Sequence, residues 1–199
     1  MQYLTFPGFQ TLDLFGPLEM LGSLRDDINI TLVAETIAPI PSVHGQSLIV
    51  DKTFADGCDY DLLFTPGGDA AIAAADSHDL KNWVIETANQ AELIMTVFTG
   101  SFLLAISGVL DDHKATTNKL DFTQTVPLGP NVDWIRQARG VEDGKFFTSS
   151  GVSAGIDMAL AAIAHLFGNQ VAVDLAEESE YEWHNDANSD PFAKLAGLL

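Results

Sequence analysis

The chain runs to 199 residues, 47% of them hydrophobic and 19% charged, and its 28 acidic against 9 basic side chains give a formal charge of −19. That composition suits one globular domain, residues 1–199, with enough chain to bury a core, and it excludes disorder and a membrane span of ~18 apolar residues. The negative field repels phosphate backbones, so neither a nucleic-acid nor a membrane partner is expected. One cysteine, Cys58, leaves no internal disulfide and no Cys-based zinc site. The opening MQYLTFPGF has no basic n-region, so a cytoplasmic chain without a signal peptide is expected.

In chain order, Gln2 to Phe6 reads as a first strand and Pro7-Gly8 as a turn. Pro17 is suited to the first turn of a helix reaching Leu24. Ile28 to Ala34 is a second, β-branched strand, and Val43 to Val50, centred on His44-Gly45, a small extended excursion. Tyr60 to Thr65 is a core strand ending in the turn Pro66-Gly67-Gly68, and Asp76 or Ser77 caps a helix through Asn89. Further on, Lys114 to Thr117 is a short strand and Leu120 to Thr125 a helix. Val132 to Arg139 is expected to pair antiparallel with Lys145 to Thr148 across Glu142-Asp143-Gly144. Ser153 to Phe167 is a long apolar helix, Asn169 to Trp183 the last one, and a polar tail ends in Asp190-Pro191-Phe192. Strands alternating with helices predict a parallel α/β sandwich. Ligands of such sheets bind beyond the carboxyl ends of the strands, so the loops after Phe6, Thr65 and Val97 should converge on one cleft.

The centre of this arrangement is Leu93 to Gly108. Leu93 to Val97 is apolar without polar alternation, as in a parallel strand buried on both faces. Phe98-Thr99-Gly100 breaks it, and Ser101 to Ser107 continues as a buried helix closed by Gly108. A buried strand turning directly into a buried helix is the geometry of a nucleophile elbow, which lifts one residue above the sheet edge. The lifted residue here is Phe98.

The pieces FPGFQTLDLFGPLEML (Phe6–Leu21), DYDLLFTPGG (Asp59–Gly68), VFTGSFLLAISGVLDDHKATT (Val97–Thr117), TSSGVSAGIDMALAAIAHLFG (Thr148–Gly168) and EYEWHNDANSDPF (Glu180–Phe192) span nearly the whole chain. In that order they resemble the DJ-1/PfpI (ThiJ) superfamily, in particular its isonitrile hydratase-like branch. The resemblance implies a flavodoxin-like three-layer sandwich of the class I glutamine amidotransferase-like kind, and a homodimer. It also implies a carbon–nitrogen lyase in which an elbow cysteine attacks the terminal carbon of an isonitrile. A nearby acid assists proton transfer, and water completes an N-substituted formamide. Carried over, the acid falls on Asp13, the donor after the nucleophile on Thr99, the facing backbone donors on Gly67 and Gly68, and a pocket border on Ser153. The nucleophile falls on Phe98, which cannot act as one. Two further departures are Thr116-Thr117-Asn118-Lys119, where the family often has Thr-Thr-His-Trp, and Ala70, where a glycine commonly stands.

Phe98 admits three readings: a pocket kept for binding or filled by the ring, a cysteine deliberately replaced, or a nucleophile moved to Thr99 or Ser101. Asp13, between two leucines, is either an acid with a raised pKa or a cap for the helix near Pro17. Cys58 precedes a strand at the end away from the cleft and reads as an inert thiol. The five histidines show no i,i+4 pair, so no metal and no cofactor are expected. The leading expectation is an isonitrile hydratase-like scaffold with a small-molecule ligand or substrate and without ordinary turnover. The alternative is a non-catalytic binding or sensing pseudoenzyme. No helix-turn-helix segment is legible in the chain, so a regulatory output would need a partner protein.

Overall fold

A computed structural model describes all 199 residues. The strands are β1 (Gln2–Leu4), β2 (Thr31–Ala34), β3 (Ile40–Pro41), β4 (Ser47–Leu48), β5 (Lys52–Thr53), β6 (Leu62–Thr65), β7 (Leu93–Thr96), β8 (Lys114–Ala115), β9 (Asp133–Trp134), β10 (Gly140–Asp143) and β11 (Phe146–Ser149). The helices are α1 (Thr11–Gly22), α2 (Ala71–Ala74), α3 (His78–Gln90), α4 (Gly100–Ile106), α5 (Phe122–Thr125), α6 (Ala154–Phe167), α7 (Asn169–Glu178) and α8 (Pro191–Leu195). Seven strands form one sheet in the order β10-β11-β7-β6-β1-β2-β5, parallel except for the β10 edge. Helices cover both faces, giving the α/β sandwich that the alternation of elements predicts.

The central strands explain themselves chemically. All four residues of β7 are buried, as are all three of β1, so neither has a solvent face that would call for polar alternation. Ser77 caps α3 by accepting the Leu80 N–H at 3.2 Å. No helix is long and apolar enough to cross a membrane.

Several elements differ from the sequence expectation. The first helix begins at Thr11, and Pro17 lies inside it. Burying Leu14, Met20 and Leu21 on one face of α1 holds the helix together across the hydrogen bond that proline cannot donate. β2 starts only at Thr31, because the Ile28 N–H closes a turn onto the Leu24 carbonyl. The antiparallel partner of β11 is β10, not Val132 to Arg139; β9 from that stretch pairs parallel with β8 instead. The last long helix stops at Glu178, since Glu180 takes a left-handed backbone (φ 48°) and frees Tyr181 to reach Asp157. The tail carries its own short helix, α8, capped by Asp190 through the Phe192 N–H.

The strand-to-helix turn needs glycine at its second step. A β-carbon on Gly100 would lie 2.5 Å from the Thr65 carbonyl oxygen and 2.5 Å from the Thr96 hydroxyl. We predict that Gly100→Ala lowers the urea-unfolding free energy by about 1–3 kcal/mol, the range for overpacking against fixed backbone. An unchanged midpoint would show that the loop after β6 can move away.

Candidate functional site at the strand-to-helix elbow

Three loops at the carboxyl ends of β1, β6 and β7 meet beside the start of α4. The Gln10 N–H donates to the Gly67 carbonyl at 2.8 Å, joining the first two. The Thr99 hydroxyl joins the second and third, accepting from the Gly68 N–H and donating to the Gly68 carbonyl, both at 2.9 Å. Gly68 has φ 138°, and a β-carbon there would sit 2.7 Å from the Gly8 carbonyl oxygen, so only glycine fits.

Phe98 stands at the crest with φ 56°, a conformation that costs a non-glycine residue ~1–3 kcal/mol. Its N–H donates to the Ser150 carbonyl at 3.0 Å, and its carbonyl accepts from the Thr117 and Ser101 hydroxyls, each at 3.0 Å. Only 9% of the residue is exposed. The ring lies against Gly67, where a β-carbon would come within 2.8 Å of Phe98 Cδ1. The aromatic side chain thus fills space beside the backbone instead of projecting into an open cleft.

Asp13, in the first turn of α1, approaches the same glycine. The Gly67 N–H donates to Asp13 Oδ2 at 2.9 Å, while the buried Oδ1 has no hydrogen-bond partner. Asp13 has no exposed surface, and burial pushes its pKa up to about 8, partly countered by the Gly67 hydrogen bond. Its carboxyl group is therefore mostly protonated at neutral pH, with a proton to give. The Thr99 and Ser101 hydroxyls, the nearest to the crest in sequence, are committed to Gly68 and to the Phe98 carbonyl.

Of the residues predicted from sequence, Asp13, Gly67, Gly68, Phe98 and Thr99 come together through these contacts. Ser153 does not join them. It is exposed at the start of α6, makes no capping bond, and lines a separate cavity of about 340 Å³ with Lys119, Ser150 and Asp190. Two features near the elbow escaped the sequence reading. Lys119 is buried, donating to the Ala138 carbonyl at 2.5 Å and to the Thr116 hydroxyl at 2.7 Å. Burial lowers its pKa to about 8, against the opposing pull of Asp190. A second cavity, of about 240 Å³, touches Gly68 and Thr99 and is bounded on its far side by α5. The departure at Asn118-Lys119 was the one visible signal for the first feature; nothing local marked the second. Cys58 is half-buried and accepts from Gln90 Nε2 at 3.0 Å, away from the elbow.

The Asp13 geometry has a pH consequence. Its folded pKa lies above the 3.8 of an ordinary aspartate, so the folded state holds this proton more tightly than the unfolded chain. The stability it contributes is highest below pH ~4, declines as pH rises towards about 8, and levels off beyond. We predict that Asp13→Asn flattens this decline. Urea unfolding of parent and variant at pH 5.5 and 8.5 checks it: the parent should lose more stability between the two, and parallel losses would refute a protonated Asp13.

Comparison with known proteins places this geometry. Residues 2–165 match the model of the DJ-1/PfpI family. The chain is similar to the isonitrile hydratase of Pseudomonas putida, at 34% identity over 90% of this chain and 77% of that protein. It is also similar to the HTH-type transcriptional regulator CdhR of Pseudomonas aeruginosa, at 26% identity over 88% of this chain and 53% of the regulator. Among solved structures, a ThiJ/PfpI family protein from Pseudomonas syringae superposes with a TM-score of 0.85 at 32% identity, covering 92% of this chain and 74% of that one. The elbow, its glycine-lined loops and these matches agree: the chain belongs to the DJ-1/PfpI family.

Proposed function

We propose that this chain is a non-catalytic, small-molecule-binding member of its family on an isonitrile hydratase-like scaffold. The observation that carries the reading is Phe98: it holds the left-handed crest of the elbow, is nine-tenths buried, and has no thiol or hydroxyl to offer. Addition of water to an isonitrile by the route that the resemblance implies needs three things. A nucleophile bonds to the terminal carbon, an acid supplies a proton, and water displaces the nucleophile to leave a formamide. The acid is present, as a neutral Asp13. The nucleophile is absent, and neither neighbouring hydroxyl is free to replace it. Similarity to a transcriptional regulator, over about half of that protein's length, supports a domain of this kind serving as a binding module.

The test is formamide release from a simple alkyl isonitrile, followed for the parent and for Phe98→Cys. The thiol variant inherits the same crest backbone and the same Asp13. We expect no rate above the uncatalysed background for the parent and a gain of at least ~10²-fold for Phe98→Cys, well inside the range that catalytic nucleophiles command. Parent turnover at a rate near that of the variant would overturn the reading.

A further inference from the structure

Between α7 and α8 the chain runs from Tyr181 to Ser189 as a strap with neither helix nor strand, and every residue from His184 to Ser189 is exposed. Asp190, where the strap ends, is only 4% exposed. A segment with so little apolar burial is held by its hydrogen bonds or not at all. The Arg139 and Gly140 N–H groups donate to the Ala187 carbonyl at 2.8 and 3.2 Å, and the Asp190 N–H donates to the Gln137 carbonyl at 2.8 Å. Packing of α8 adds little, since Ala193 is its one buried residue while Phe192 and Leu195 are 53% and 78% exposed.

The two oxygens of the Asp190 carboxylate reach different places. Oδ1 accepts the Phe192 N–H at 3.0 Å and so caps α8. A cap needs only that one oxygen, and it needs no burial. Oδ2 accepts the hydroxyl of Ser150, 40 residues earlier in the chain. Ser150 is itself only 2% exposed, and its carbonyl is the acceptor of the Phe98 N–H at 3.0 Å. Its own N–H donates to the Arg139 carbonyl at 2.8 Å, and Arg139 is the residue that holds Ala187. The strap therefore meets the anchor of the crest by two routes, one through a side chain and one through backbone. A buried carboxylate oxygen without a donor is costly, so the Ser150 bond accounts for why Asp190 can be buried at all.

We propose that Asp190 is a positioning residue for the elbow: through Ser150 it ties the C-terminal strap to the left-handed crest, so that docking of the strap sets how firmly residue 98 is held. The strap is then a control on the site. Displacing it removes the partner of the Ser150 hydroxyl and loosens the carbonyl that fixes the Phe98 N–H, and with it the backbone that aims any side chain at position 98. The inference rests on the geometry of the crest alone and stands apart from whether the chain turns over a substrate.

Amide hydrogen exchange read by NMR on the uniformly ¹⁵N-labelled chain tests this residue by residue. Asp190→Ala should speed exchange of the Phe98 amide at least ~tenfold, while the amides of Phe64 and Met95 in the central strands keep the parent's rates. Asp190→Asn should restore most of the protection, because its amide keeps one oxygen for the Phe192 N–H and a polar partner for the Ser150 hydroxyl. Ser150→Ala removes the same bond from the other side and leaves the α8 cap in place, so it decides the matter where losing the cap unfolds the chain. It should loosen Phe98 as Asp190→Ala does, and the double variant should loosen it no further than either alone. Unchanged exchange at Phe98 with faster exchange confined to α8 would reduce Asp190 to a helix cap and overturn the proposal. So would an equal rise at Phe98, Phe64 and Met95, which reports general destabilisation, or additive effects in the double variant.

Discussion

The structure depends on the bond between one hydroxyl and one glycine. Thr99 Oγ1 takes both backbone groups of Gly68, locking the loop after β6 to the elbow after β7. The same strip admits no side chain at Gly67, Gly68 or Gly100, because each of those α-carbons lies against backbone of a neighbouring loop. Loops built this way have little freedom to open. The left-handed residue at the crest persists because the surrounding bonds over-determine it: Ser150 takes its N–H, and Thr117 and Ser101 share its carbonyl.

That rigidity separates the scaffold from its chemistry. The crest conformation is imposed by backbone contacts, so any residue placed there inherits the same φ whether or not it reacts. Asp13 shows the complementary effect. One carboxyl oxygen is held by Gly67 and the other is buried without a partner, an arrangement that is costly for a purely structural acid. That cost marks Asp13 as a side chain whose position packing alone does not account for.

Much of this was legible in the sequence wherever local chemistry decides the outcome. Leu93 to Val97 reads as a doubly buried strand, Pro66-Gly67-Gly68 as a turn, and Ser77 as one of two candidate caps, the one that the structure uses. The misread elements are those where a distant contact chose between local options. Pro17 signals a helix start, but the apolar face of α1 extends beyond it towards the N-terminus. Two β-like stretches compete to pair with β11, and pattern alone does not rank Gly140–Asp143 above Asp133–Trp134. Tyr181 leaves the helical path because Asp157, 24 residues earlier, accepts its hydroxyl at 2.9 Å. In the site, Phe98 was legible from the strand-to-helix pattern, while Asp13, Gly67, Gly68 and Thr99 came from the family resemblance. Ser153 sits at a helix start as expected, but that helix aims it into a different cavity.

Why a phenyl ring should occupy the crest follows from comparing magnitudes. A left-handed backbone costs ~1–3 kcal/mol for phenylalanine as for cysteine, so the exchange adds no strain of its own. Burying a side chain of this size contributes roughly 1.5–3 kcal/mol, and Phe98 is 91% buried by the complement of its 9% exposure. The two terms are of similar size, so packing of the ring offsets the cost of the crest backbone. A small side chain such as alanine would have kept the strain and left a void against Gly67, where the ring now packs. On this comparison a bulky apolar residue can hold the crest while the backbone of the elbow around it stays intact.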